Sequence, residues 1–381
     1  MREEMRKTKV WQVIWGLKDG GAETLAREYA RLVDSEKFDA TIITMYPFTD
    51  TANYRRAKEA GLRIQSIFKR RNTVTRAVRL LVGRWYVPFE VGRMLRREKP
   101  DTIHLNSQMA DYLTSLKKRL SDTKLLYTCH AEVDKYFSDK EDAAVRKLIR
   151  DHDLRLIALH EDMRVELNRR FGKEDTVVIR NGVELNRFRK NGKAKNEVRK
   201  SVGIEQDAWV VGHVGRFSQV KNHVFLLKVF QEIVCRKSNA HLLLVGNGPL
   251  YEEVIREVND KGLQEHVTIL SHRTDIPDLL HAMDVMVFPS LYEGLSVTLV
   301  EAQASGLKCV ISDTINPANL LSERTIPVSL KETPAVWAEI AMDDTLRNAH
   351  YGCIDDYDMN CEIRRLESLY RKEEHAAVNG R

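Results

Sequence analysis

Short runs of β-branched and apolar residues alternate with amphipathic helical stretches along the whole chain, and this alternation constrains the fold more than any other feature. In the first half the runs are VWQVIW (10–15), ATIITMY (40–46), RIQSIF (63–68), TIHLN (102–106), KLLYTCH (124–130), RLIALH (155–160) and TVVIR (176–180). The stretch ETLAREYARLVD (23–34) reads as the first intervening helix. WVVGHVG (209–215), AHLLLVG (240–246), VTILS (267–271), VMVFPS (285–290) and KCVISD (308–313) repeat the pattern in the second half, with a helix over 224–237. Nearly continuous apolar runs of this length fit strands buried on both faces. Strands alternating with helices imply parallel sheets covered by helices. The chain has 381 residues, and at roughly 100–200 residues per domain that is enough for two. The polar stretch 181–200 holds two Asn-Gly pairs and reads as the linker. The expected architecture is α/β: two Rossmann-like, doubly wound domains facing across a cleft. The expected division is 1–185, 186–360 and a C-terminal helix over 361–381 that packs back on the first domain. In such sheets ligands bind outside the carboxyl ends of the strands.

Composition sets the outer limits. With 43% hydrophobic and 30% charged residues the chain is a folded globular type, not a disordered or collagen-like one. It has no run of about 18 apolar residues, so no transmembrane helix is expected. The N-terminal stretch reads as a first strand, not a signal peptide. Five scattered cysteines without a CxxC pair point to neither a disulfide framework nor a zinc site, and to a cytoplasmic location. Charge is uneven: residues 51–100 hold 14 basic and 3 acidic side chains. Within them, the segment 69–99 interleaves Arg with Val, Leu, Trp and Tyr. Two readings stand: a surface that lies on anionic lipid, or a solvated basic face beside a buried apolar stripe. Overall charge is modest and no recognition motif occurs, so nucleic acid is not an expected partner.

Five motifs follow strands. DGGAE (19–23) opens a helix, where Gly20 and Gly21 allow close backbone approach and free N–H groups attract an anion; an ordinary tight turn explains it too. GRFSQVKN (215–222) places Arg216 and Lys221 after a strand. Arg216 suits a forked phosphate contact and Lys221 adds a point charge. GNGPL (246–250) is a weak signal, equally a structural turn or a ligand-facing loop. FPSLYEGLSVTLVEAQASG (288–306) is the strongest. A strand ends, a loop follows, and a helix starts near Ser296, a residue type suited to the N-cap. Helix starts attract diphosphate. Glu293 lies in the loop and Glu301 in the helix, both able to accept hydrogen bonds from sugar hydroxyls. His130, in YTCHAEVD (127–134), lies just past a strand, where it is either a hydrogen-bonding group of the site or a structural histidine. DHD (151–153) and DYD (356–358) have the spacing of metal carboxylates but follow no hydrophobic strand, so no metal site is expected. P-loop, HExxH and Ser-elbow motifs do not occur. Neither half has GxGxxG at its first βα turn, which disfavours a dehydrogenase.

Taken together, GGAE (20–23), NGVELNRF (181–188), GRFSQVKN (215–222), GNGPL (246–250) and SLYEGLSVTLVEAQASG (290–306) resemble the GT-B glycosyltransferases of family 4, and within it those of bacterial exopolysaccharide and capsule synthesis. The resemblance is dense over 180–315 and thinner before it. It implies an N-terminal acceptor-binding domain and a C-terminal donor domain. It further implies a nucleotide-sugar donor, with UDP favoured, and no cofactor. By that resemblance Arg216 and Lys221 neutralise the donor diphosphate. Glu301 holds the ribose, and Glu293 lies near the sugar and its anomeric carbon. Gly294, Leu295 and Ser296 present backbone N–H groups. Arg273 and Ile276, in SHRTDI (271–276), lie where the base is read. Gly215, Asn247 and Gly248 line the donor, Gly20 and Gly21 close over the diphosphate, and His130 contacts the transferred sugar. The implied activity is retaining, metal-independent transfer of a hexose or N-acetylhexosamine to a glycan or lipid-linked acceptor, peripherally at the inner membrane face. A non-catalytic nucleotide-sugar-binding partner of a polysaccharide assembly complex is the alternative.

Overall fold

The computed structural model describes residues 6–18, 20–189 and 193–371. Asp19 of the first motif, the Asn191-Gly192 pair and the last ten residues of the expected C-terminal helix lie outside them. Two compact units divide the chain, Met1–Asn181 with Asn360–Arg381, and Gly182–Met359.

The first unit is built on seven parallel strands: β1 (Thr8–Ile14), β2 (Phe38–Thr44), β3 (Arg63–Ser66), β4 (Thr102–Leu105), β5 (Lys124–Thr128), β6 (Arg155–Ala158) and β7 (Val177–Val178). They lie in the order β3-β2-β1-β4-β5-β6-β7. Strand order therefore reverses between β1 and β4, and the crevice there is where a doubly wound sheet takes its ligand. Alternation gives each strand two apolar faces. Trp11 and Val13 of β1 join one core with Ile103 and Leu105 of β4, while Ile14 turns to a second cluster under the helix Gly21–Leu32. That helix buries Leu25, Ala26, Tyr29 and Ala30, one stripe at helical spacing. The helix Met359–Tyr370 brings the fully buried Tyr370 ring against β1 and β4, where its backbone oxygen accepts from the Thr102 hydroxyl at 3.0 Å.

The second unit has six parallel strands: β8 (Trp209–Val214), β9 (Ala240–Val245), β10 (Val267–Leu270), β11 (Val285–Phe288), β12 (Lys308–Ser312) and β13 (Thr325–Val328). Their order is β10-β9-β8-β11-β12-β13, so the switch point lies between β8 and β11. β13 was not expected from the sequence. It is a four-residue edge strand containing Pro327, and an edge is where a sheet tolerates a residue without a donor.

The expected linker is also different. Residues 185–189 and 195–201 are short helices whose Leu185, Phe188 and Val198 are buried in the second unit's core. Arg199 is buried too, donating to Asp284 at 2.7 Å and to the backbone oxygens of Ala282 and Gln206. The apolar residues of this stretch are too few to show periodicity, and a paired, buried arginine reads as solvent-facing in a sequence.

Candidate functional site

In the second unit, the loops after β8 and β11 meet at the switch point. Leu291 N–H donates to the Val220 oxygen at 2.8 Å, and the Asn222 amide donates to the Pro289 oxygen at 3.2 Å. Asn222 adopts the left-handed backbone that turns the first loop into the following helix. This closure brings Lys221 Nζ to 2.6 Å from Glu293 Oε1. The same ammonium stands 4.3 Å from the centroid of the Phe288 ring. Gly215 makes the room: a Cβ there would lie 3.2 Å from Lys221 Cε. Lys221 and Glu293 are thus one ion pair, where the sequence reading gave them separate roles. Both side chains are largely shielded, at 14% and 17% exposure. Arg216 differs: it is exposed, and among the described residues it makes no ion pair.

Two histidines lie beneath this pair and were not singled out in the sequence. His213 is fully buried, donates from Nδ1 to the Val287 oxygen at 3.0 Å and stacks on Phe288. His223 packs 4.9 Å from it, ring to ring. Burial holds both imidazoles neutral. It pulls His213 well below the ordinary histidine value; His223 falls to about 4, with the Lys221 charge adding to burial.

The 294–296 loop is held from the side by Asn319. Its Oδ1 accepts from the Ser296 N–H at 2.8 Å, and its amide donates to the oxygens of Gly294 and Asn316. Asn316 N–H in turn donates to the Glu293 oxygen at 3.2 Å. Ser296 departs from two expectations. Ser296 occupies the N-cap position of the helix Val297–Ala304, but its hydroxyl caps nothing. Its N–H, expected to face donor, is already taken by Asn319. Asn319 is buried and lies 23 residues beyond the loop, so no local pattern marks it. Leu295 is half-buried beside the second unit's core and Glu301 is half-buried one turn into the helix.

The GNGPL loop proves to be a packed turn. A Cβ on Gly248 would lie 2.3 Å from the Phe217 oxygen, and Gly246 faces the Gly215 oxygen as closely. Gly248 N–H is bonded to Asn247 Oδ1 at 2.7 Å, and the Asn247 amide contacts His272 at 3.1 Å. Arg273 forms a fork with Asp275, 2.8 Å through Nε and 2.5 Å through Nη2, just before the helix that starts at Ile276.

In the first unit, His130 follows β5 and lines a cavity of about 290 Å³ with Ile14, Trp15, Ala22, Glu23 and Asn106. The cavity lies at the β1/β4 switch point and takes in the start of the first helix. Gly20 caps that helix with extended backbone, and a Cβ there would collide with the Glu23 carboxylate. Gly21 faces open space. Burial lowers the His130 pKa to about 4, so the ring is neutral at physiological pH.

Segment 69–99 contains a 26-residue helix, Thr73–Glu98. Its inner face buries Val87, Val91, Met94 and Leu95 in the core. Its outer face is apolar as well: Val74, Leu81, Trp85 and Phe89 share one stripe and are 59–77% exposed. Neither sequence reading foresaw both stripes on one helix. Among the described residues no helix is long and apolar enough to cross a membrane, and no three His, Cys, Asp or Glu side chains converge to hold a metal ion.

Comparison with known proteins agrees with this construction. Residues 19–187 match the model described as Glycosyltransferase Family 4, and residues 194–326 match Glycosyl transferases group 1. The putative glycosyltransferase EpsF of Bacillus subtilis (strain 168) is 32% identical over 344 residues, covering 87% of this chain and 86% of EpsF. The Escherichia coli UDP-Gal:alpha-D-GlcNAc-diphosphoundecaprenol alpha-1,3-galactosyltransferase is 29% identical over 239 residues, 60% of this chain and 62% of that protein. Among solved structures, Anabaena Alr3699/HepE in complex with UDP and glucose superposes with a TM-score of 0.69 at 19% identity, over 96% of this chain and 95% of that one. Two parallel sheets with these strand orders, and matches that run through both units, establish that the chain is a GT-B glycosyltransferase belonging to family 4.

Proposed function

We propose that the chain transfers a hexose or N-acetylhexosamine from a nucleotide sugar to a hydroxyl of a lipid-linked glycan in surface polysaccharide synthesis, with retention of configuration and without a metal ion. The observation that carries this is the Lys221–Glu293 pair at the β8/β11 switch point. A cation held there by a carboxylate and an aromatic face is preorganised for an arriving diphosphate, and exposed Arg216 on the same loop adds a forked donor. UDP is favoured because HepE is solved with UDP and the E. coli relative is named for UDP-Gal.

In the reaction, the bond from C1 to the β-phosphate oxygen breaks and its electron pair stays on that oxygen. Arg216 and Lys221 stabilise the growing charge; such donors commonly contribute about 3 kcal/mol each. The acceptor hydroxyl bonds to C1 from the face the phosphate leaves, and its proton passes to the departing phosphate oxygen. Glu293 orients Lys221 and lies beside the sugar. Neutral His130 accepts a hydrogen bond from a sugar hydroxyl. No protein nucleophile is needed. Glu301 takes the ribose hydroxyls.

The acceptor end is assigned to the first unit and to an anionic membrane surface. The outward Val74, Leu81, Trp85 and Phe89 stripe is accompanied by Arg84 and Arg96, both exposed. Apolar side chains entering the interface, with arginines worth about 1 kcal/mol each beside anionic lipid, suit a surface-lying helix. The experiment is donor turnover on a panel of UDP-sugars with undecaprenyl-diphosphate saccharides in vesicles. Product of unchanged anomeric configuration, formed in excess EDTA, is expected. An inverted product, or complete loss that added metal restores, would contradict the proposal. Co-sedimentation with phosphatidylglycerol vesicles but not with phosphatidylcholine alone is expected as well.

A further inference from the structure

A buried chain of hydrogen bonds in the first unit starts at His130 and leads to the C-terminal helix. His130 Nε2 lies 3.5 Å from Asn106 Oδ1, the longest link. The Asn106 amide donates to Gln12 Oε1 at 2.9 Å, and the Gln12 amide donates to the Tyr370 hydroxyl. The Tyr370 hydroxyl is 3.0 Å from His104 Nδ1, and His104 Nε2 is 2.7 Å from the Thr128 hydroxyl. Gln12, His104, Asn106, Thr128 and Tyr370 are all buried, at 1% exposure or less.

The direction is set at Asn106, whose amide also donates to the His104 backbone oxygen at 3.2 Å, a contact its own oxygen could not make. An amide oxygen only accepts, so Asn106 Oδ1 requires a proton on His130 Nε2. The Asn106 and Gln12 amides then face onward, oxygen to nitrogen. The Tyr370 hydroxyl has one proton; having accepted from Gln12, it gives that proton to His104 Nδ1. His104 must therefore carry its own proton on Nε2, which it donates to Thr128. Burial keeps both rings neutral, His104 at about 3 and His130 at about 4. Asn106 donates twice, to Gln12 and to the His104 backbone oxygen, and the remaining links run in one sense.

We propose that Tyr370 is a positioning residue: through Gln12 and Asn106 it holds His130 as the Nε2–H tautomer, with Nδ1 left as the acceptor for a donor-sugar hydroxyl. A histidine's second nitrogen is set by the bond the first one makes, and a connected buried network is stiffer than its separate pairs. The proposal rests on the placement of His130 beside the transferred sugar, and it gives the C-terminal helix a part in that site.

The test uses the full chain labelled with 15N-histidine. Long-range 1H–15N spectra at neutral pH should show His130 as the Nε2–H tautomer. In Tyr370→Phe, which keeps the ring but loses the hydroxyl, His130 should become a mixture of tautomers. On the UDP-sugar that the wild type turns over, the kcat of this variant should fall about ten-fold with donor KM within about two-fold. Gln12→Leu cuts the chain one link nearer and should give the same two effects, so a poorly folded Tyr370→Phe does not end the test. An Nδ1–H tautomer in the wild type, or wild-type His130 signals in a folded variant of either kind, would overturn the proposal. His130→Ala separates the underlying assumption: wild-type turnover in that variant removes His130 from the site, whatever the tautomer spectra show.

Discussion

Lys221 Nζ lies 2.6 Å from Glu293 Oε1 although 72 residues separate them, and both come from loops that leave the sheet on either side of its switch point. The pair is shielded enough that removing one partner strands the other. Lys221→Ala is expected to abolish transfer and to cost about 3 kcal/mol, the lower end for breaking a buried pair. Lys221→Met with Glu293→Gln should recover most of that stability but none of the activity. Urea denaturation and turnover, measured on both variants, separate folding from chemistry.

Asn319 works on the other side of the same site. Asn319→Ala frees the Ser296 N–H and the oxygens of Gly294 and Asn316 at once. A loss of about 1–3 kcal/mol is expected for groups left unbonded in so buried a place. Donor KM should rise more than kcat falls, because the 294–296 loop loses its brace.

Two glycines of the sequence motifs should behave oppositely. Gly248→Ala drives a methyl into the Phe217 backbone, which cannot move as a side-chain tip would, and should destabilise the second unit by about 1–3 kcal/mol. Gly21→Ala meets nothing within 4 Å and should leave the melting temperature unchanged. Thermal unfolding of the two variants decides the matter.

Acid should weaken the second unit. His223 and His241 both fall to about 4 from 6.5 through burial, and His213 lies well below 6.5. Between about pH 4 and 6.5 the unfolded chain therefore binds more protons than the folded one, so stability falls as pH falls through that window. In the first unit His104 and His130 act in the same sense, but Glu141, raised to about 7 by burial, acts against them. Urea midpoints at pH 7 and pH 5 should differ, with the lower value at pH 5.

Much of the fold was legible because buried parallel strands leave continuous apolar runs, and twelve of them stand out. β13 did not, since Pro327 breaks its short run. Lys221, Glu293 and His130 were legible as polar residues just past strands. The residues that brace the surrounding loops and His130 were not: Asn319, Asn106 and Tyr370 lie far from them in sequence, and only the folded chain brings them in. The packing at Gly248 was not legible for a related reason: the sequence shows that a side chain is missing but not that the Phe217 backbone fills the space. Helical spacing in 69–99 carried two apolar stripes at once, and reading either alone hid the other.

Arg216 tests the central claim, that a donor diphosphate binds at the β8/β11 switch point, most directly, because its exposed side chain can be removed with little effect on folding, within about 0.5 kcal/mol. Calorimetric titration of UDP into wild type and Arg216→Ala is the measurement. The variant is expected to bind UDP at least about ten-fold more weakly, the loss of a charge-assisted forked contact. Equal UDP affinity in the two proteins would contradict it.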